Sequence, residues 1–254
     1  MRILLANDDG IHSEGFAVLE DIARELSDEI WCVAPEADRS GLAHSLTQLE
    51  PLRLRKLAAR RYALRGTPAD CVIVAIRELM SAPPDLILSG VNSGVNIADD
   101  INYSGTIGAT IEGALFGIPS IALSQHYDIV DGERSFNWEI SRSQAPGLIR
   151  RLLDLPHVDG TFYNINFPHC RLEDLQPPRV VEQGRRAHGY QVDRRLDGRD
   201  FPYFWLRASH EKTDYLPGSD AEAMAHNAPS ITALKIDMTD HTQNARLKNL
   251  DFAG

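Results

Sequence analysis

The stretch Met1-Arg-Ile-Leu-Leu-Ala-Asn-Asp-Asp-Gly10 decides the fold of this chain. Its apolar run, Ile3 to Leu5, is short and unbroken, which is typical of a strand buried on both faces of a parallel sheet. The residues that follow, 7–10, all favour turns, so the strand is predicted to end there. Ligands of open α/β sheets bind just beyond the carboxyl ends of the strands. Asp8 and Asp9 fall at such an end.

Asp8 and Asp9 are neighbouring carboxylates, which repel each other unless a cation lies between them or water screens them. One interpretation is a site for a hard metal ion with oxygen ligands. The other is a solvated turn in which one Asp caps the next helix. The acidic pair alone does not distinguish a metal site from a solvated turn, so the two interpretations have to be weighed on the rest of the sequence.

Composition limits the classes of function. The chain has 254 residues, of which 43% are hydrophobic and 24% charged, as expected for an ordinary globular domain with a full core. The net charge of -10 argues against long nucleic acids and anionic membranes as partners. The cysteines lie far apart with no CxxC spacing, and no apolar stretch is long enough to span a bilayer. A cytoplasmic protein is therefore expected.

Strands and helices alternate along the first half of the chain, which predicts βαβ units and a mostly parallel sheet. The predicted elements there are a helix at 14–26, a strand at 29–34, an antiparallel excursion at 52–56 and 61–64, a helix from 67, a strand at 85–89, a helix at 104–116 and a strand at 118–123. The second half is less regular, with a helix at 137–153 interrupted near Pro146, a strand at 161–167, hairpin-like arms at 179–208, a short helix at 219–226 and a strand at 231–236.

Loops that leave the same edge of this sheet collect hard oxygen donors. The first loop offers Asp8 and Asp9, the second offers Ser40, and the long loop after residue 89 offers Asn92 and Asn96. Carboxylate, hydroxyl and amide oxygens suit magnesium, manganese or calcium better than zinc or copper. We therefore expect a dication anchored by the acidic pair, with Ser40 and Asn92 completing the protein ligands.

The turn Tyr103-Ser-Gly-Thr106 opens a helix and could bind an anion. The first amides of a helix have no partner within it and carry partial positive charge. Gly105 would let a phosphate approach the backbone, and Ser104 and Thr106 could donate hydroxyl hydrogen bonds. An ordinary N-cap without a ligand is the alternative. Beside an acidic pair that holds a dication, the turn instead indicates metal-assisted phosphoryl transfer, by hydrolysis or through attack of Asp8 on phosphorus.

Other polar residues have weaker claims on function. His12 and His44 could act as acid or base, although a surface or capping role is the favoured interpretation of each. The amides of Asn164 and Asn166 could brace the site loops, or simply end a strand. The pairs Asp99-Asp100 and Arg185-Arg186 are typical of solvated surface.

Several ordered motifs together resemble the SurE survival-protein family, from the amino terminus to about residue 236. They are Asn7-Asp-Asp-Gly10, Ala34-Pro-Glu36 with Arg39-Ser-Gly41, Gly66-Thr-Pro-Ala-Asp-Cys71, Ser89-Gly-Val-Asn-Ser-Gly-Val-Asn96, Tyr103-Ser-Gly-Thr106 with Glu112-Gly113, Asn164-Ile-Asn-Phe-Pro168, Gln183-Gly-Arg-Arg186, Thr213-Asp214 and Ser230-Ile-Thr232. The resemblance implies a Rossmann-like three-layer α/β core with a mostly parallel sheet and a C-terminal extension with protruding β arms. It implies one domain over 1–254, with its core in 1–178 and 209–237 and an oligomerisation arm at 179–208.

The resemblance also implies an activity, that of a 5'-nucleotidase, a phosphoric monoester hydrolase. Such an enzyme removes the phosphate of nucleoside 5'- and 3'-monophosphates, in some members also short polyphosphate, with one divalent cation per subunit, Mg2+ or Mn2+. The family's metal ligands fall on Asp8, Asp9, Ser40 and Asn92, and its phosphate and substrate contacts on Asn96, Ser104, Gly105 and Thr106. A homodimer or homotetramer is implied as well.

Two alternatives come from other classes of protein. A signalling receiver domain also has an acidic pair after its first strand, but the strand at 85–89 ends in Ser-Gly instead of an acceptor Asp, and Gln125 stands where a Lys is needed. A nucleotide-binding module without turnover stays open. The loop after Asp214 and the tail after Asp237 depart from the family pattern, which affects pocket shape and assembly more than the metal site.

Overall fold

The computed structural model describes residues 1–185, 190–208 and 215–250. Its strands are β1 (Arg2–Ala6), β2 (Glu29–Pro35), β3 (Arg53–Ala58), β4 (Arg61–Arg65), β5 (Leu86–Ser93), β6 (Ser120–Gln125), β7 (Tyr127–Val130), β8 (Glu133–Phe136), β9 (Thr161–Phe167), β10 (Arg179–Val180), β11 (Tyr190–Leu196), β12 (Pro202–Ala208) and β13 (Ser230–Lys235). Its α-helices are α1 (Glu14–Arg24), α2 (Pro68–Val74), α3 (Gly105–Leu115), α4 (Trp138–Leu153), α5 (Asp220–Ala225) and α6 (His241–Leu247). A π-helical turn, Ala75–Leu79, continues α2, and a 3-10 segment, Ala98–Tyr103, precedes α3.

A nine-stranded sheet forms the centre of the molecule, in the order β10-β13-β9-β6-β5-β1-β2-β4-β3. The strand β1 lies between β5 and β2 and is parallel to both. Only β3 and β13 run antiparallel to a neighbour, β4 and β9 respectively, within the part of this sheet that the structure describes. This confirms the predicted mostly parallel α/β sheet. The next strand in the chain, β2, pairs with one side of β1, while the later strand β5 pairs with the other side. Such a reversal of the strand order is expected to leave a crevice at the carboxyl end of β1.

Side chains of β1 alternate between two cores, which creates the three layers. Ile3 and Leu5 pack with Phe16 and Leu19 of α1 and with Ile149 of α4 on one face of the sheet. On the other face, Leu4 and Ala6 pack with Cys71, Val72 and Ala109 of α2 and α3. Because successive residues of a strand point to opposite faces, a strand buried on both sides needs an unbroken apolar run. The run at residues 3–6 is such a sequence.

The predicted break of the fourth helix near Pro146 is wrong, since α4 continues through that residue. A proline removes one backbone hydrogen bond from a helix. Here Ala145, Leu148 and Ile149 are buried in the core on either side of it, and their packing holds the helix together.

The ribbon β11–β12 is an antiparallel hairpin whose strands pair with each other from Tyr190–Ala208 to Leu196–Pro202. The predicted arm began at residue 179, but Arg179–Val180 pairs with Ser230–Ile231 in the central sheet. Thr213-Asp214 and Arg186 lie outside the described residues.

The structure also contains a hairpin that was not predicted, β7–β8. It follows β6 directly and leads into α4. No helix in the described ranges combines the length and the apolarity that crossing a membrane would require.

Candidate active site

The acidic pair lies in a locked turn at the carboxyl end of β1, in the middle of the sheet. The buried Asn7 accepts a hydrogen bond from the Gly10 amide (3.2 Å) and donates to the Gly10 carbonyl (2.9 Å) and to Ser13 Oγ (3.0 Å). Ser13 in turn caps α1. Asp8 is only 4% exposed, while Asp9 is half-buried. The turn therefore holds one carboxylate inside the protein and the other at its rim.

The amino terminus of α3 contacts this turn directly. Thr106 Oγ1 donates a hydrogen bond to Asp8 Oδ1 (2.6 Å). A Cβ atom added at Gly105 would lie 2.8 Å from the Asp8 Cβ and 3.0 Å from Asp8 Oδ2, so only glycine lets the helix start approach this closely. The Ser104 hydroxyl caps the helix by accepting from the Ile107 amide (3.1 Å). The acidic pair and the predicted anion-binding turn thus form one continuous surface.

This contact changes which atoms could face a phosphate. We expected the Thr106 hydroxyl to be available, but it donates to Asp8. The backbone amides of the first turn, at Gly105 and Thr106, have no partner within the helix and keep their partial positive charge. These amides, with the Ser104 hydroxyl proton, are what the helix start offers to an anion.

The protonation of the two carboxylates reflects their surroundings. Burial, and then the charge of Asp9, raises the pKa of Asp8 to about 6, although the Thr106 hydrogen bond acts in the opposite direction. Burial also raises the pKa of Asp9, while the hydrogen bond from the Ser93 amide (2.9 Å) lowers it. Two carboxylates held in this way favour a nearby positive charge.

The second predicted loop reaches the same place through its backbone. The Arg39 amide donates to the Asp8 carbonyl (2.8 Å), which brings Ser40 next to the turn. Ser40 donates from both its amide (2.7 Å) and its hydroxyl (2.6 Å) to Asp38 Oδ1.

Asp38 is a site residue that sequence reasoning missed. Its Oδ1 accepts both hydrogen bonds from Ser40, and its charge raises the pKa of Asp8 and of Asp9. An Asp two residues before a Ser in a polar loop is a common turn signature, and that signal could have identified it.

The third loop contributes Asn92 and fixes Asn96. Asn92 Nδ2 donates to the Gly94 carbonyl (2.9 Å), so the amide oxygen is the atom that Asn92 can offer to a cation. Asn96 is 6% exposed, and its Nδ2 donates to Ser124 Oγ (2.8 Å). The predicted substrate contact at Asn96 would therefore have to use the remaining amide oxygen.

Asn164 and Asn166 brace this loop from β9, which was one of the two interpretations of these residues. Their side-chain amides donate to the Asn96 carbonyl, at 2.7 and 3.1 Å. Asn166 Oδ1 also accepts from the Asn96 amide (2.7 Å). Of the two histidine candidates, His44 contacts Glu112 of α3, with 2.8 Å between Nε2 and Oε2, and His12 is exposed.

A second residue missed from the sequence, Asp220, holds the end of the same loop. Its buried carboxylate accepts from the amides of Ala98 (2.8 Å) and Gly184 (3.0 Å). Gln183 Nε2 also donates to the Ala98 carbonyl (3.1 Å). The segment that precedes α3 is therefore tied to α5 and to the chain at residues 183–184.

The donor set fits a hard dication. Among the residues that the structure describes, no group of three or more His, Cys, Asp or Glu side chains could hold a metal ion. A cation at this place would rely on the two aspartates and on neutral oxygens such as those of Ser40 and Asn92. Such an all-oxygen set suits Mg2+, Mn2+ or Ca2+ and lacks the nitrogen and sulfur ligands typical of zinc.

Fold and site together define a Rossmann-like α/β protein in which an acidic pair at the end of the central strand meets a helix amino terminus. Comparison with known proteins makes the class specific. The profile of the family described as Survival protein SurE matches residues 3–190. The chain belongs to this family.

Relatives over the full length agree. The chain is 52% identical over 247 residues to "5'-nucleotidase SurE" of Brucella abortus (strain S19), covering 97% of both chains. It is 54% identical over 241 residues to the protein of the same name from Allorhizobium ampelinum, covering 95% of this chain and 94% of the relative. Its fold matches the crystal structure of the SurE protein from Aquifex aeolicus with a TM-score of 0.84 and 34% identity, over 98% of both chains.

Proposed function

We propose that this protein is a metal-dependent 5'-nucleotidase that hydrolyses nucleoside monophosphates to nucleoside and phosphate. Relatives that are more than half identical over almost the whole chain carry that name. The observation that carries the proposal is the contact between the acidic pair and the α3 start, through Thr106 and Gly105. It gives one surface both a cation-binding and an anion-binding part, which phosphoryl transfer needs.

Each group of the chain has a definable task in this proposal. Asp8 and Asp9 would hold one divalent cation per subunit, Mg2+ or Mn2+, with Ser40 and Asn92 as neutral ligands. When bound, the cation polarises a phosphate oxygen and makes a water more acidic. The hydrogen bond from Thr106 fixes the rotamer of Asp8. The amides of Gly105 and Thr106, with Ser104, would stabilise the charge that grows on the phosphoryl oxygens.

Substrate scope is the finer part of the proposal. Nothing in a site made of two carboxylates and a helix start distinguishes a 5'- from a 3'-phosphate, so both monophosphates, and short polyphosphate, are proposed substrates. Asn96 is retained as a substrate contact through its amide oxygen. A cytoplasmic location fits the buried free thiols of Cys32 and Cys71, which are typical of a reducing compartment.

The ribbon β11–β12 supports a homodimer or homotetramer. Phe204, Leu206 and Val192 share one of its faces and are 58%, 70% and 61% exposed. Exposed apolar patches of this kind mark contacts with other proteins. A second copy of the chain is the proposed partner.

A phosphate-release assay tests the function. The protein should release phosphate from a 5'-nucleoside monophosphate with Mn2+ or Mg2+ and lose this activity with EDTA. Asp9→Asn should lose it as well while keeping the far-UV circular dichroism of the wild type. A protein that binds the nucleotide without releasing phosphate under any of several divalent ions would instead be a binding module.

A further inference from the structure

The β7–β8 hairpin places an arginine and a tyrosine beside the 92–94 loop, which contains the proposed metal ligand Asn92. The Arg134 guanidinium lies over the Tyr127 ring, with its Cζ 4.6 Å from the ring centroid. The Tyr127 ring in turn lies beside the 92–94 loop, because a Cβ added at Gly94 would be 3.7 Å from Tyr127 Cε1. Arg134 Nη1 is 3.4 Å from the Ser93 carbonyl oxygen, a long hydrogen bond.

Ser93 connects this arginine to the acidic pair. The same residue whose carbonyl faces Arg134 donates its amide to Asp9 Oδ2. The Arg134 guanidinium and the Asp9 carboxylate are thus linked through the backbone of a single residue, Ser93. The site therefore has the positively charged Arg134 side chain on the side of Asp9, while the backbone amides of α3 lie on the side of Asp8.

Arg134 is available to a ligand. It is exposed, and it forms no ion pair among the residues that the structure describes. Arg39, a second arginine near the acidic pair, lines a hollow with Leu46 and Thr47. Stacking on an aromatic ring restricts a guanidinium without neutralising its charge. Less conformational freedom then has to be lost when an anion binds.

We propose that Arg134, held in place by Tyr127, is a substrate-binding residue that contacts the phosphate of the nucleotide from the Asp9 side of the site. The inference rests on the proposed function. A chain of net charge -10 with three carboxylates around the site repels a phosphate dianion, so binding needs local positive charge beyond the cation. A guanidinium can bind two phosphate oxygens at once in a fixed geometry.

Arg134 could alternatively do no more than fasten the hairpin to the 92–94 loop. The two roles have different consequences. A fastening residue would affect thermal stability and leave phosphate binding unchanged. A phosphate-binding residue would weaken the binding of both substrate and phosphate, while the 3.4 Å bond to Ser93 is too long to contribute much to stability.

The test compares Arg134→Gln and Arg134→Lys with a matched control, Arg151→Gln. Arg151 is an exposed arginine in the last turn of α4, and its replacement changes the net charge equally. Steady-state kinetics with a 5'-nucleoside monophosphate at saturating Mn2+ give KM and kcat. Calorimetric titration with inorganic phosphate in the presence of Mn2+ gives a binding constant that does not depend on turnover.

For Arg134→Gln we expect KM and the phosphate Kd to rise about 10- to 100-fold, as for loss of a charge-assisted hydrogen bond, with kcat changed far less. Arg134→Lys should recover part of this affinity, because it keeps the charge and loses the planar fork. Arg151→Gln should match the wild type.

Equal KM and phosphate Kd in Arg134→Gln and the wild type would overturn the inference. So would a change confined to the Mn2+ concentration needed for activity, since Arg134 would then act only on the aspartates. If the wild type releases no phosphate from any nucleotide, the proposed function fails. The phosphate titration then still decides the role of Arg134.

Discussion

At the scale of single residues, the charged Asp8 that the proposed chemistry requires destabilises the metal-free fold. Its carboxyl is almost excluded from water beside a second carboxylate, and its pKa is raised from 3.8 to about 6. The folded state therefore holds the Asp8 proton more tightly than the unfolded state does. The resulting stabilisation is fully present below the unfolded pKa and is lost as the pH rises through about 6. At neutral pH the metal-free fold contains a buried charge that the Thr106 hydrogen bond compensates only in part.

The variant Asp8→Asn should relieve this conflict. Near neutral pH, we expect the metal-free variant to have a free energy of unfolding roughly 1–3 kcal/mol larger than that of the wild type. Its melting temperature should therefore be higher. The difference should disappear as the pH falls below the unfolded pKa, where the wild-type carboxyl is protonated too. An Asn oxygen still accepts the Thr106 hydrogen bond, so the geometry should persist.

Thermal unfolding in EDTA across this pH range measures the effect, and Asp28→Asn, an exposed site at the start of β2, is the control. Phosphate release by Asp8→Asn should be lost in the same preparation. A melting temperature at neutral pH no higher than that of the wild type would show that the Asp8 carboxylate does not destabilise the fold.

Gly105 allows a second test at the level of one residue. In Gly105→Ala the added carbon would lie 2.8 Å from the Asp8 Cβ, so Asp8 or the start of α3 must shift. We expect kcat to fall about 100-fold, because small displacements of reacting groups are costly. The loss of stability should be about 1–3 kcal/mol.

Gly147 in α4 is the matched control, since a Cβ there would meet nothing within 4 Å. Gly147→Ala should keep full activity and gain up to ~1 kcal/mol of stability from better helix propensity. Equal activity of Gly105→Ala and Gly147→Ala would mean that close contact between α3 and Asp8 is not needed for turnover.

The site residues that could be predicted are those whose structural context is visible in the residues next to them in the sequence. Asp8, Asp9 and the 104–106 turn were identifiable because a strand end and a helix start can be recognised within a few residues. Asp220 and Arg134 were missed because their neighbours come from distant parts of the chain, whereas Asp38 was missed although its turn signature is local. Asp220 contacts Ala98, for example, across more than a hundred residues. The functional roles of the predicted residues stay predictions.

At the scale of elements, the loop between β5 and α3 is held at two neighbouring points, Asn96 and Ala98. Asn164 and Asn166 hold Asn96, and Asp220 and Gln183 hold Ala98. The 3-10 segment that follows these two points leads to Ser104 at the site. A long polar loop, which sequence patterns describe only as irregular, is therefore fixed by buried side chains of other elements.

Asp220→Ala should release this loop at Ala98. The amides of Ala98 and Gly184 would lose their acceptor in a buried place, at a cost of about 2–5 kcal/mol. Amide hydrogen exchange at 97–104 should become faster and KM should rise. Asp240→Ala is the control, because Asp240 caps the exposed helix α6 through the Gln243 amide and should cost only ~1 kcal/mol. Unchanged exchange at 97–104 in Asp220→Ala would contradict a positioning role for Asp220.

Elements with strong local patterns were predicted well. The apolar runs of β1, β2, β5 and β9 identified buried strands, and the periodic apolar face of α1 identified a helix. The hairpin β7–β8 was not predicted. Its sequence, Tyr127 to Phe136, is short and mostly exposed, and its place depends on the stacking of Tyr127, Phe136 and Trp138. Such contacts form only in the tertiary structure.

At the scale of the whole molecule, the strand order explains where the site is. Parallel pairing places the ends of β1, β5 and β6 at one edge, and β1 lies near the middle of the sheet. Alternation of strands and helices was enough to predict a mostly parallel sheet, and the family resemblance implied the three layers. The addition of β13 and β10 beyond β9 was not predictable, because it joins segments far apart in the chain.

The β11–β12 ribbon provides the prediction about assembly. Its face of Phe204, Leu206 and Val192 would be expensive to leave in water, so we expect the wild type to sediment as a dimer or tetramer. The double variant Phe204→Glu/Leu206→Glu should sediment as a monomer with an unchanged melting profile of the core, since both side chains are already exposed. Leu172→Glu, at a residue 49% exposed outside the ribbon, should not change the sedimentation coefficient. A monomeric wild type, or an oligomer that survives the double substitution, would place the contact between copies elsewhere on the molecule.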